Sequence, residues 1–237
     1  MVNVGAVEGG KLGDIYPIQM FERLPDGSVV VDDTGLPKVV TGSNTTPIGN
    51  IQPNLLMSIA PSFQYKGFVL SALFDMKFGG DIISVSEAVA TSYGTAERTS
   101  YRGSYVYPGS MSNPDFNPFQ PVSSENPQFV QNTKEITCDK NYYTRISGAA
   151  EAFIYDASFI KLKEISLGYN FPKALLSKTP LSSLRLSLVG RNLCYLLKHT
   201  PGTSPEGGFD TSMFSQALDF SAVPYTRTFG FSVNVSF

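Results

Sequence analysis

Residues 226–237, read Thr-Arg-Thr-Phe-Gly-Phe-Ser-Val-Asn-Val-Ser-Phe, alternate without a break. Phe229, Phe231, Val233, Val235 and Phe237 fall on one side; Gly230, Ser232, Asn234 and Ser236 fall on the other. Successive side chains of a strand point to opposite faces, so this period of two marks a strand with one wholly apolar face and one small or polar face. The printed sequence stops on an aromatic residue, where soluble domains usually fray into water. A strand that crosses a membrane in a β-barrel has this pattern by necessity, with lipid outside, water or a plug inside, and about ten residues per crossing.

The composition agrees with an all-β chain. Charged residues make up 16% of the 237, against about 25% in ordinary soluble domains. Phe and Tyr supply all the aromatics, and 21 Gly and 16 Pro are spread along the chain. A net charge of -2 with no basic block gives nucleic-acid binding no electrostatic support. Two cysteines, Cys138 and Cys194, and one histidine exclude a disulfide scaffold and any standard zinc site. Spacing alone leaves open whether the two cysteines pair. No apolar run reaches the ~20 residues of a membrane helix, and a barrel needs none. The first residues, MVNVGAVEGGKLGDIYP, lack the basic-then-apolar order of a secretory signal. Membrane strands without an export signal imply the C-terminal piece of a longer chain, with Met1 internal to it.

Residues 1–50 read as surface structure. In LPDGSVVVDDTGLP, Leu24 to Pro37, two turns flank a short strand at Ser28 to Val31. Asp26, Asp32 and Asp33 are read as turn aspartates, because the loop lacks the spaced ligands and closing Glu of an EF-hand. From Leu55 the alternation is clean, with Leu55, Met57, Ile59, Phe63 and Tyr65 on one face and Pro61 as an irregularity. Lys66-Gly67 is a tight turn. Phe68, Leu70, Ala72, Phe74, Met76 and Phe78 then oppose Val69, Ser71, Leu73, Asp75 and Lys77, completing a hairpin.

Residues 81–157 have no strong periodicity beyond a short helix expected over Ile82 to Thr91. They carry Tyr93, Tyr101, Tyr105, Tyr107, Tyr142 and Tyr143. A structureless stretch this long is foreign to a compact soluble domain but ordinary in the outer loops of a barrel. Its tyrosines either pack the loop or stack on sugars or a partner. Strands resume at Phe159 to Tyr169 and at Leu184 to Val189, the latter closed by Gly190-Arg191-Asn192-Leu193. Five strands emerge, near 54–65, 67–78, 158–170, 183–193 and 226–237, with outer loops 1–50, 81–157 and 194–225. Short turns at 65–67 and 171–182 alternate with long connections, as in outer-membrane barrels. Five strands cannot close a barrel, and an open edge in lipid leaves backbone groups unpaired at several kcal/mol each.

The run Ala157 to Pro172, ASFIKLKEISLGYNFP, resembles the "ASFIRLKNITLGYNLP" stretch of SusC/RagA-type TonB-dependent outer-membrane proteins. Leu184 to Leu193, LRLSLVGRNL, is similar to that family's next strand, with Arg191 where Gln is usual; Ser204-Pro205-Glu206 keeps the Pro-Glu of its "DPE" motif without the Asp. Pro224 to Phe237 resembles its closing strand, and Ile48-Gly49-Asn50, Pro53, the Phe63 to Gly67 turn and Phe78-Gly79-Gly80-Asp81 also match. The resemblance implies a 22-stranded barrel with an N-terminal plug. It implies import of glycans or peptides powered through TonB, with a SusD-type lipoprotein capping the outer face. This chain would supply the last strands and loops, without the plug or the TonB-contacting segment. The terminal aromatic then serves as a barrel-assembly signal, as a membrane-interface anchor, or as both. The competing reading is a secreted all-β carbohydrate-binding or adhesin-like module with its apolar faces packed sheet on sheet. An enzyme is not expected. His199 has no acidic or nucleophilic motif near it in sequence, and no catalytic, cofactor or metal residues are assigned.

Overall fold

The structure is a computed structural model and describes residues 1–43, 46–208, 215, 218–222 and 225–237. It divides into two units. One comprises Met1–Ile51, Ile82–Tyr155 and Gly207–Ala222; the other comprises Gln52–Asp81, Asp156–Glu206 and Val223–Phe237.

The second unit is built on one antiparallel sheet of six strands: β1 (Leu55–Ile59), β2 (Ser62–Tyr65), β3 (Phe68–Phe78), β4 (Phe159–Asn170), β5 (Ser183–Lys198) and β6 (Thr228–Ser236). Their order is β6-β5-β4-β3-β1, with β2 also on β3. β1 and β2 are one crossing interrupted at Ala60-Pro61. Ile59 lies opposite Phe74 and Ser62 opposite Ser71, so the register does not slip. The Pro61 carbonyl still accepts a 3.0 Å bond from the Ala72 N–H, and only the donor that proline lacks is missing from the ladder.

The β2–β3 turn has positive φ at both central residues, 45° at Lys66 and 89° at Gly67, the handedness that suits a two-residue hairpin. A Cβ on Gly67 would sit 2.9 Å from the Asn170 carbonyl oxygen. Replacing Gly67 with Val is therefore expected to cost about 1–3 kcal/mol. The readout is a lower temperature for conversion of the compact band to the unfolded band on unheated gels; an unchanged temperature would contradict the turn geometry.

The structure extends one strand beyond the sequence reading. Gly190-Arg191-Asn192-Leu193 was expected to close a strand, yet β5 continues to Lys198. Asn192 takes φ 54°, a left-handed conformation that Asn tolerates. The register against β4 shifts there, from Glu164 opposite Arg191 to Leu162 opposite Cys194. A bulge bends and twists a strand without ending it. Cys194 through Lys198 thus belong to the sheet rather than to the loop expected over 194–225.

The first unit has its own core. Residues 1–50 and 81–157 are not irregular loops but short ribbons and two helices. The pairs Val2–Gly5 with Asp14–Pro17, Gln19–Phe21 with Val39–Thr41, Ser104–Val106 with Glu135–Thr137, and Ser110–Ser112 with Phe129–Gln131 are all antiparallel. Helix α1 (Val85–Tyr93) starts where Ser84 caps the Glu87 N–H and ends at Gly94 in the left-handed region. The helix expected over Ile82 to Thr91 thus begins three residues late, because fully buried Ile82 and Ile83 belong to a strand, Asp81–Ser84. Helix α2 (Lys140–Gly148) is capped by Asp139. Phe21, Val29, Ala88, Ile146, Ala149 and Phe153 form one core cluster; Val4, Ile15, Ile51 and Ile83 form another.

Candidate functional site

The sheet's two faces differ in kind. Directly opposed residues share a face, so the registers place Phe63, Leu70, Leu167, Leu188 and Phe231 in one row. The neighbouring row is Tyr65, Phe68, Tyr169, Leu186 and Val233. The first row is 41% to 68% exposed. A contiguous apolar face of that kind is not left in water by a soluble protein. β3 is about 34 Å long at ~3.4 Å per residue, or roughly 26 Å along the normal at a ~40° tilt, which matches the ~25 Å apolar band of outer-membrane barrels. At the hairpin end aromatics gather. Phe68 and Tyr169 lie 4.7 Å apart and Tyr169 and Phe171 5.1 Å apart, centroid to centroid, the placement of an interfacial girdle.

The other face is small and polar along its lower half, with Ser62, Gln64, Ser71, Ser166, Gly168, Ser187, Gly230 and Ser232. A belt of charge lies above. Asp75 accepts from Lys163 Nζ at 2.7 Å and from Ser58 Oγ at 2.6 Å; Arg191 meets Glu164 at 2.8 Å. Lys161 is nearly buried and meets Glu206 at 2.5 Å. A water-filled or protein-filled interior supports such groups; hydrocarbon does not.

The structure sorts the tyrosines. Tyr105, Tyr107, Tyr142 and Tyr143 pack edge to face, with centroids 5.0–6.5 Å apart, and the Tyr143 hydroxyl donates to the Tyr101 carbonyl. Burial, then the neighbouring Tyr105, pushes the Tyr142 phenol up. These four are packing residues. Tyr93 and Tyr101 remain exposed.

Cys138 and Cys194 are both free, the first buried and the second exposed. His199 has an acid that its sequence neighbourhood did not reveal: Asp156 Oδ2 lies 2.8 Å from Nδ1. Ser158 gives its hydroxyl proton to Asp156 Oδ1 and accepts from the Gly79 N–H. Ser158 is buried, and the group fastens chain segments: Gly79, Asp156 and His199 are tied together through it.

Asp26 and Asp32 are turn residues. Asp26 Oδ1 accepts from the Ser28 N–H; Asp32 Oδ1 accepts from the Thr34 and Leu36 N–H groups, and its Oδ2 meets Arg145 at 3.2 Å. Burial raises the Asp32 carboxyl, but the Thr34 and Leu36 bonds and the Arg145 charge outweigh it and hold the group below the ordinary carboxylate range. A lowered folded value means that the contribution is complete above the unfolded value of ~3.9 and is lost as pH falls through the folded one. Protection of the amides over residues 24–37, relative to their intrinsic exchange rates, is therefore expected to fall below about pH 4, and Asp32→Asn should weaken that acid step, Asp26 keeping its own share. An unchanged acid step in the variant would contradict the assignment.

These features define a class: a length of barrel wall, apolar outside and polar inside, with structured loops. No family model matches the chain. By sequence it is similar to TonB-dependent receptor P3 of Formosa agariphila, 26% identical over 98% of this chain and 21% of that protein. TonB-dependent receptor P39 of the same organism is 24% identical over 95% of this chain and 20% of that protein. The chain thus spans about a fifth of the length of these curated relatives. By structure it is similar to the RagAB peptide transporter, with a TM-score of 0.54 and 16% identity over 95% of this chain and 24% of the other. The RagAB peptide importer in its "closed-closed" state gives 0.52 and 16% over 100% and 22%. The chain therefore has the fold of a stretch of TonB-dependent transporter barrel, and the SusC/RagA-type resemblance of its motifs is borne out.

Proposed function

We propose that this chain is the C-terminal part, 1–237, of the β-barrel of an outer-membrane TonB-dependent importer. The observation that carries it is the row Phe63, Leu70, Leu167, Leu188 and Phe231, exposed together on one face while the opposite face holds serines, glycines and ion pairs. The apolar face meets outer-membrane lipid. The polar face lines the interior through which a nutrient passes. The protein acts without enzyme chemistry, cofactor or nucleic acid. Its substrate is a glycan or a peptide, its outer partner a SusD-type lipoprotein, and its energy comes from TonB through a part of the protein outside this sequence. The similarity to a peptide importer and to TonB-dependent receptors supports the reading.

The test is the mass and location of the native species that carries these residues. An antibody against residues 113–127 should detect, in outer-membrane fractions, a band several times larger than 25.7 kDa. A 25.7 kDa band in the soluble fraction would overturn the proposal and favour a secreted binding module.

A further inference from the structure

The loop that follows β5 doubles back over the polar face of the sheet. Lys161 points from β4 to that face and is 3% exposed. An ammonium there is costly unless paired. Glu206, 45 residues on, supplies the carboxylate at 2.5 Å. The Tyr195 hydroxyl donates to the same Glu206 oxygen at 2.6 Å, and Tyr195 and Ser204 hydroxyls lie 2.8 Å apart. The Lys161 Nζ lies 5.2 Å from the Tyr195 ring centroid and 4.7 Å from that of Tyr225, within cation–π range of both. Behind this knot, Lys198 Nζ and Thr200 Oγ1 both donate to the Thr203 carbonyl, and Thr200 and Pro205 are buried. His199 and Asp156 close the near end.

We propose that residues 199–206 form a strap latched onto the polar face by Lys161, and that this latch keeps the strap closed over the part of that face around Lys161. The pairing is internal and directional. Glu206 supplies the loop carboxylate that pairs with Lys161, so breaking that pair loosens the far end of the strap without unpairing a strand, while the His199–Asp156 and Lys198–Thr203 contacts stay in place. The proposal goes beyond the importer reading and relies on it only for the meaning of the covered face.

The experiment is hydrogen–deuterium exchange on the full-length protein in detergent micelles. Lys161→Met and Glu206→Gln should each speed exchange of the 199–206 peptide at least tenfold and leave the 228–236 peptide unchanged; Lys161→Arg should restore protection. Unchanged protection of 199–206 in Glu206→Gln, or loss of the folded band in that variant, would overturn the latch. Failure of the importer reading shows separately, as a protein that stays dispersed without detergent and whose strap can be measured there.

Discussion

Phe231→Arg is expected to remove most of the folded protein from the outer membrane. Phe231 lies near the middle of β6, opposite Leu188, and ends the exposed apolar row on that strand. A guanidinium on the lipid face costs about 2–4 kcal/mol at the midplane and less towards the interfaces, up to a large part of the ~5–15 kcal/mol that holds a typical domain folded. The control is one residue away. Ser232 lies opposite Ser187 on the polar face, where a long cation can reach water, so Ser232→Lys should assemble nearly as well as the parent. The measurement is the fraction running as the compact, unheated form in outer-membrane extracts. Equal losses in both variants would mean that the two faces do not differ, contrary to the lipid assignment.

Phe153→Ala should unfold the loop unit and spare the sheet. Phe153 is fully buried against Phe21, Val29, Ala88, Ile146 and Ala149. Its ring carries the Arg98 guanidinium at 4.7 Å from the centroid. Truncating a buried Phe typically costs about 3–5 kcal/mol, more than a unit of short ribbons and two nine-residue helices can absorb. Exchange over 85–93 and 140–148 should approach that of an unfolded chain, while the compact gel band and the protection of β4 and β5 persist. Simultaneous loss of both would show that the unit with its own core has no stability of its own.

The wall was legible because its signal is local. In 226–237 each residue declares its face through the next, and β6, β5 and β4 all keep apolar side chains at every second position where they cross. The bulge at Asn192 was not legible, since GRNL looks like a strand end and only the register of β4 against β5 shows continuation. The loop unit was hidden for a different reason. Its strands are mostly three or four residues long, too short for a period to register, and partners such as Ser104–Val106 and Glu135–Thr137 lie about thirty residues apart. Ser84-x-x-Glu87 was a usable signal: it is a capping pattern, and it would have moved the start of α1 to Val85. The strap had a fainter one. Lys161 shares a strand face with Phe159 in the mostly apolar stretch Phe159 to Leu162, and its acid comes from the Pro205-Glu206 pair, 45 residues on.

The face of the sheet that meets lipid is tested most directly by a spin-label scan along β6. With Cys138→Ala and Cys194→Ser in place, single cysteines are introduced at 229 through 235 of the full-length protein and labelled in lipid vesicles. Oxygen should reach labels at 229, 231, 233 and 235 best, and a water-soluble nickel chelate should favour 230, 232 and 234. Equal access of the chelate to both sets would place the apolar face in water and contradict the barrel wall.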